Sequence, residues 1–230
     1  NPEGGYVATA NNEVIDESYP YHLSNIWAQP YRYERIVELL ESKEELTVQD
    51  MKDIQMDAKN LYAMEFLPNL LSTLKVSDLA NEYKEALNIL EEWDYFDTVE
   101  QSAPLIFHRL MANLQESLFI NEMPEDLYKL MPGKAQILDE MLREAYAGET
   151  VLWIEKRGGL EKFVTTAFGK VMNDLVDEYG SNVSKWAWGD YHQLTFDHPV
   201  GSANQYVGML LNAKKVPVDG SRITVMAAGH

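Results

Sequence analysis

The 230 residues contain no cysteine. Disulfides, thiolate metal centres and a cysteine nucleophile are therefore excluded, while the redox compartment stays open. Basic residues are scarce. Nineteen Lys and Arg stand against 37 Asp and Glu, a formal net charge of −18. Such a surface repels phosphate backbones and anionic lipid, so neither nucleic acid nor an anionic membrane is an expected partner. No apolar run approaches the roughly 20 residues that span a bilayer, and Asn1 begins no signal peptide. No tract is low in complexity and no internal repeat recurs. What is present is ordinary globular material, 46% hydrophobic and 24% charged, able to bury a core. The length suits one large domain or two small ones. The first residue is not Met and lies beside a strand-like motif. The expectation is a processed product or a cut-out piece, with any targeting signal upstream.

The middle of the chain reads as helix. Residues 30–42 place Tyr33, Ile36, Leu39 and Leu40 on one face. Thr47-Val48-Gln49-Asp50 has the form of a capping box, and the helix it starts is expected to reach about Phe66, with a break or restart at Pro68. Ser77 should cap a helix running to about Trp93. Ser102 and Pro104 should start another, to about Ile120. Pro124 and Pro132-Gly133 divide two more, the second ending at Gly148. The clearest is 160–179, where Leu160, Phe163, Val164, Ala167, Phe168, Val171 and Leu175 keep the 3.6 period ahead of Gly180. Short β-like runs flank this region: 6–10, 193–196, and 223–226 beyond an Asp219-Gly220 turn. The expected fold is mostly α, about seven helices, with a few short edge strands at both ends. Its segments are a strand and loop at 1–18, a helical domain at 19–180, and an irregular stretch with short strands at 181–230. The end strands are too few for a sheet of their own and look like parts of a larger one.

Few residues carry a chemical signature. Asn11-Asn12 reads as a turn, because Asn tolerates left-handed backbone and bonds its own main chain. The alternative is chemical: a rigidly held side-chain NH2 at a strand end is what an oxyanion requires. Ser24 in Ser24-Asn25-Ile26-Trp27 has no base beside it and reads as a turn or cap residue. Arg32 falls in the first turn of a helix, against the helix dipole, which suggests a task such as holding a carbonyl or carboxylate. Arg35 is expected to face solvent or to pair with Glu34, Glu38 or Glu41. Asp190, His192, Asp197 and His198 form a conceivable metal cluster, but structural histidines are the expectation, with Trp186 and Trp188 as packing anchors.

Several stretches, in order, resemble the penicillin acylase family of N-terminal-nucleophile hydrolases: NP-x2-GY-x3-ANN (1–12), YP (19–20), W-x2-PYR-x2-RI (27–36), IQ-x-D (54–57), LP (67–68), NVS-x-W (182–186), WG-x2-H (188–192) and F-x-HP-x-G (196–201). No one of them is specific; the ordered set covers nearly the whole chain. The resemblance is to the middle of the catalytic β-chain. It implies the helical part of an αββα enzyme that cleaves an amide by acyl transfer to an N-terminal serine, with that serine's own amine as base. In the family the first Asn of the NN pair helps form the oxyanion hole and matches Asn11. The Arg near the active site, which orients its surroundings, matches Arg32.

The resemblance has gaps as well. The family's Ser-Asn-x-Trp nucleophile motif lies far upstream of ANN, so Ser24 is a coincidental match and the nucleophile is expected outside this chain. Some relatives bind calcium through an Asp soon after YP; Tyr21-His22-Leu23 stands there instead, so no cofactor and no metal ligand is carried over. The implied partners are the α-chain, the N-terminal part of the β-chain, and a small amide or acyl-lactone substrate. A secreted, periplasmic or cell-surface location is implied in the same way. The competing class is a non-enzymatic acidic helical module that binds another protein.

Overall fold

The computed structural model describes residues 2, 4–16, 18–120, 122–196, 198, 212, 214–227. Helix dominates, as the periodicities predict. Among the described residues the elements run α1 (Tyr31–Glu41), α2 (Val48–Gln55), α3 (Leu61–Lys75), α4 (Lys84–Glu91), α5 (Ser102–Phe119), α6 (Glu125–Leu130), α7 (Lys134–Tyr146), α8 (Leu152–Glu155), α9 (Leu160–Tyr179) and α10 (Trp188–Tyr191), then the strands β1 (Gln193–Leu194) and β2 (Val216–Pro217). No helix among the described residues is long and apolar enough to cross a membrane.

The core is built around α5. Its residues Leu105, Ile106, Phe107, Leu110, Leu114, Leu118 and Phe119 are buried nearly all round the helix, as a central helix requires. It packs against α4, α7, α9 and α10, while α3 lies against α9, α4 and α1. The inward face of α9 is the expected one, Phe163, Val164, Ala167, Phe168, Val171 and Leu175, with Met172 added and Leu160 only half-buried. Each fully buried Leu or Phe stabilises the fold by about 1.5–3 kcal/mol relative to an exposed one.

Three helix boundaries differ from the sequence expectation. The Thr47 capping box forms, with Asp50 as its acidic partner, but its helix stops at Gln55. Residues 57–60 turn aside to pair with 94–97: Asn60 N donates to Tyr95 O at 2.8 Å and Asp97 N to Ala58 O at 3.0 Å. Asn60 then caps α3 by accepting from Ala63 N. A second difference is Pro68, which breaks nothing; α3 runs through it. Pro68 and Met64 lie four apart on the exposed face, the side on which water can serve a carbonyl that proline cannot. Ser77 begins only a short 3-10 turn, and α4 starts later, at Lys84.

The ends differ too. Residues 6–10 form no strand, and Val7 is 84% exposed. A strand needs a neighbour for its N–H and C=O groups, and none of the described residues supplies one. β1 pairs antiparallel with β2, Gln193 opposite Pro217 and Leu194 opposite Val216. Residues 223–226 make turns, not the expected strand. Gly220 (φ 76) anchors them, since a Cβ there would meet the Met226 carbonyl at 2.2 Å. Trp186 and Trp188 are buried anchors, their indole N–H groups donating to Gly180 O at 2.8 Å and Gly220 O at 2.9 Å.

Candidate active site

The turn at residues 10–12 is made by the second asparagine. Asn12 is buried; its Oδ1 accepts from Ala10 N at 3.0 Å and its Nδ2 donates to Glu13 O at 2.8 Å. That closure leaves Asn11 exposed and in the left-handed region, φ 62, which Asn tolerates better than most residues. Ala28 N donates to the Asn11 carbonyl at 2.7 Å.

Arg32, the second residue of α1, reaches across to this turn. One guanidinium nitrogen donates to Ala10 O at 2.9 Å and to Asn11 Oδ1 at 3.1 Å. A guanidinium has no acceptor, so only the amide oxygen of Asn11 can face it. The amide is thereby oriented, and its Nδ2 is directed away from Arg32, without a hydrogen-bond partner among the described residues. The structure thus brings the two sequence candidates into contact and presents a held NH2 donor beside a cation. Arg32 also lines a cavity of about 610 Å³ with Gln29, Gln115, Lys134, Gln136 and Arg222.

A second layer holds this site. Arg35 pairs with Glu38, as the helix spacing suggests, but its stronger partner is Asp57, held at 2.9 and 2.8 Å through two parallel bonds. The segment before α1 is fastened to α7. Gln136 Nε2 donates to Trp27 O at 2.7 Å, and Gln29 Nε2 donates to Asp139 Oδ2. Asp139 is 2% exposed and also accepts from the Tyr62 hydroxyl at 2.8 Å. Burial pushes its carboxyl up to about 6, against the hydrogen bonds from Gln29 and Tyr62 and the charge of Arg143, which lower it, while Glu65 raises it.

The remaining candidates have local duties. Ser24 Oγ donates to Ile26 O and accepts from Ile26 N, a self-contained turn with no base attached; it does not cap α1, whose N-cap is Pro30. His192 is buried, its Nδ1 lying 2.9 Å from Val218 O, and its ring stacks on Trp188 at 4.7 Å. His198 N donates to Asn212 Oδ1. Asp190 is exposed, and Asp197 lies outside the described residues. Among the described residues no three His, Asp or Glu side chains converge as a metal site needs.

Sequence reasoning missed two buried carboxylates. Asp139 is one. The other is Asp97, fully buried, which accepts from Asn60 Nδ2 at 3.1 Å on both oxygens and lies 2.9 Å from His108 Nε2. Neither has a spacing signature, because their partners lie on other elements, 11 to 110 residues away in the chain.

A family model described as penicillin amidase matches residues 1–230. The chain belongs to the penicillin amidase family. It is 25% identical over 234 residues to the penicillin acylase 2 proenzyme of Pseudomonas sp. (strain SE83), covering all of this chain and 29% of that protein. It is 22% identical over 228 residues to the acyl-homoserine lactone acylase QuiP of Pseudomonas aeruginosa, covering 90% of this chain and 27% of the relative. QuiP of Pseudomonas syringae pv. tomato matches at 30% over 147 residues, 61% of this chain. The chain therefore spans less than a third of the length of these curated relatives. In this member of the penicillin amidase family, scattered motifs meet in space. Asn11 of the ANN motif bonds Arg32 of the PYR motif, and Arg35 bonds Asp57 of IQ-x-D.

Proposed function

We propose that this chain is the helical part of the β-chain of a penicillin-acylase-like amidohydrolase, and that Asn11 supplies an oxyanion donor to a serine nucleophile carried elsewhere in the protein. The supporting observation is the orientation of the Asn11 amide, oxygen on Arg32 and NH2 outward. In the reaction a serine Oγ attacks the substrate carbonyl carbon while the serine's own α-amine takes the hydroxyl proton. A terminal amine titrates near pH 8, within reach of that duty. The C=O electron pair moves onto oxygen, and Asn11 Nδ2 donates to the resulting oxyanion. Collapse expels the amine, which takes the proton from the α-amine, and leaves a serine ester for water to cleave. Arg32 holds the donor in place and contributes positive charge beside the developing anion. Relatives named as acylases of penicillin and of acyl-homoserine lactones support amide cleavage as the chemistry. No observation favours the acidic interaction module.

The test is steady-state kinetics on the complete enzyme. Asn11→Ala should lower kcat about a hundredfold or more, with KM changed less, since the bond strengthens as charge develops. Asn11→Asp should be at least as harmful, because a carboxylate cannot donate and repels the oxyanion. Asn12→Ala, which opens the turn, should cost melting temperature more than rate. Near-normal kcat in Asn11→Ala sinks the assignment.

A further inference from the structure

The Asn11 turn does not stand by its own hydrogen bonds. Its carbonyl hangs on the N–H of Ala28, the middle residue of the strap Trp27-Ala28-Gln29. That strap has no regular secondary structure to hold it. It is instead gripped on both sides of Ala28 by one face of α7. Gln136 donates to the Trp27 carbonyl at 2.7 Å, and Asp139 accepts the side-chain amide of Gln29. Positions i and i+3 of a helix point the same way, so one rigid helix face meets both ends of the strap. Asp139 is in turn locked by the Tyr62 hydroxyl of α3, whose ring packs on Tyr31 at 5.2 Å. Tyr31 is the helical residue just before Arg32. The same assembly therefore fixes the strap that holds the Asn11 backbone and the helix start that holds the Asn11 side chain.

We propose that Asp139 and Gln136 of α7 are positioning residues for the oxyanion donor, acting through the Trp27–Gln29 strap. This rests on the reading of Asn11 given above. The physical need is clear. An oxyanion donor works by being in place before charge appears, and an error of about 1 Å can cost about a hundredfold. Asn11 is exposed and its turn sits in irregular chain, so its precision has to come from a well-packed element. α7 supplies it through two side chains rather than through backbone pairing. Burying an aspartate is unfavourable, and a residue kept only for packing would more simply be apolar. The two donors on Asp139 give it a specific geometric role.

The experiment is a set of variants in the complete enzyme, assayed on a chromogenic amide that the unmodified enzyme turns over. Asp139→Ala and Gln136→Ala should each lower kcat about tenfold, with KM little changed and folded content verified by circular dichroism and melting temperature. Asp139→Asn should recover most of the rate, since its oxygen still accepts from Gln29 while the Tyr62 hydroxyl can accept from its amide. The double variant Asn11→Ala/Asp139→Ala should lose no more rate than Asn11→Ala alone, because the second residue acts only through the first. Should Asp139→Ala not fold, Gln29→Ala and Gln136→Ala carry the same comparison. Normal kcat in the strap and α7 variants, with Asn11→Ala inactive, overturns the positioning role and leaves the Asn11 assignment standing. Rate losses that multiply in the double variant also overturn it. Normal kcat in Asn11→Ala removes the Asn11 assignment itself, and the positioning role with it.

Discussion

Asn11 and Asn12 are the same residue type one position apart, and the fold gives them opposite work. Asn12 turns its amide inward and satisfies two backbone groups. Asn11 takes the left-handed backbone that the turn demands and keeps its NH2 outward. Turn and chemistry are alternatives for the pair in the sequence; the structure gives the turn's side-chain bonds to Asn12 and leaves Asn11 for the proposed chemistry. Asp139 shows the converse case, a residue with no sequence signal and a defined environment. Its carboxyl is pushed up to about 6 by burial, with Gln29, Tyr62 and Arg143 acting to lower it and Glu65 to raise it. The sign follows from proton counting. Between about pH 4 and about pH 6 the folded state binds more protons at this site than the unfolded chain, so its contribution to stability falls as pH rises through that window. Relative to the unmodified protein, Asp139→Asn should therefore gain stability from pH 4 to pH 6 and keep a constant difference above about pH 7. Denaturant melts of both proteins across that range measure it. A difference that stays flat or shrinks with rising pH would contradict the assigned environment.

At the scale of elements, legibility followed the source of each helix's stability. α9 shows in the sequence because a long apolar face repeats every 3.6 residues and the core accepts nearly all of it, whereas α5, buried nearly all round, shows through Ser102 and Pro104 at its start. The start of α2 was equally plain, since a capping box is local chemistry. Its end was not, because residues 57–60 leave the helix to pair with 94–97, a long-range bond invisible in any short window. Pro68 is the instructive miss. Proline destabilises a helix by withholding an N–H, and the penalty shrinks on a solvent-facing side such as the one that carries Met64 and Pro68. Some cost should remain. Pro68→Ala restores the bond and should stabilise the protein by about 1–3 kcal/mol, partly offset by the added freedom of the unfolded chain. A rise in the urea midpoint at unchanged slope is the expected result; a fall would mean that the proline ring makes packing contacts worth more than the bond.

For the whole molecule, the proposed reading makes the chain a scaffold around part of a reaction centre. On that reading Asn11 and Arg32 hold an oxyanion but do not generate one, and Ser24 is spent on its own turn. The isolated 230 residues should show no turnover of phenylacetyl, phenoxyacetyl or long-chain acyl amides in chromogenic assays. Activity abolished by Ser24→Ala would show that the Ser24 turn is a catalytic centre after all. The sequence by itself determined the helical class, the inward face of α9, the exclusion of thiol chemistry, and the family, through an ordered set of short motifs. Those features are local or compositional, and local features survive in one dimension. The tertiary structure alone decided that Arg32 orients the Asn11 amide, that Arg35 belongs to Asp57, that Asp97 and Asp139 are buried with their donors, and that α7 grips the strap behind the turn. Each of these joins residues on different elements, 11 to 110 positions apart. A buried polar group is defined by the partners that folding brings to it, and no spacing rule reaches that far along a chain.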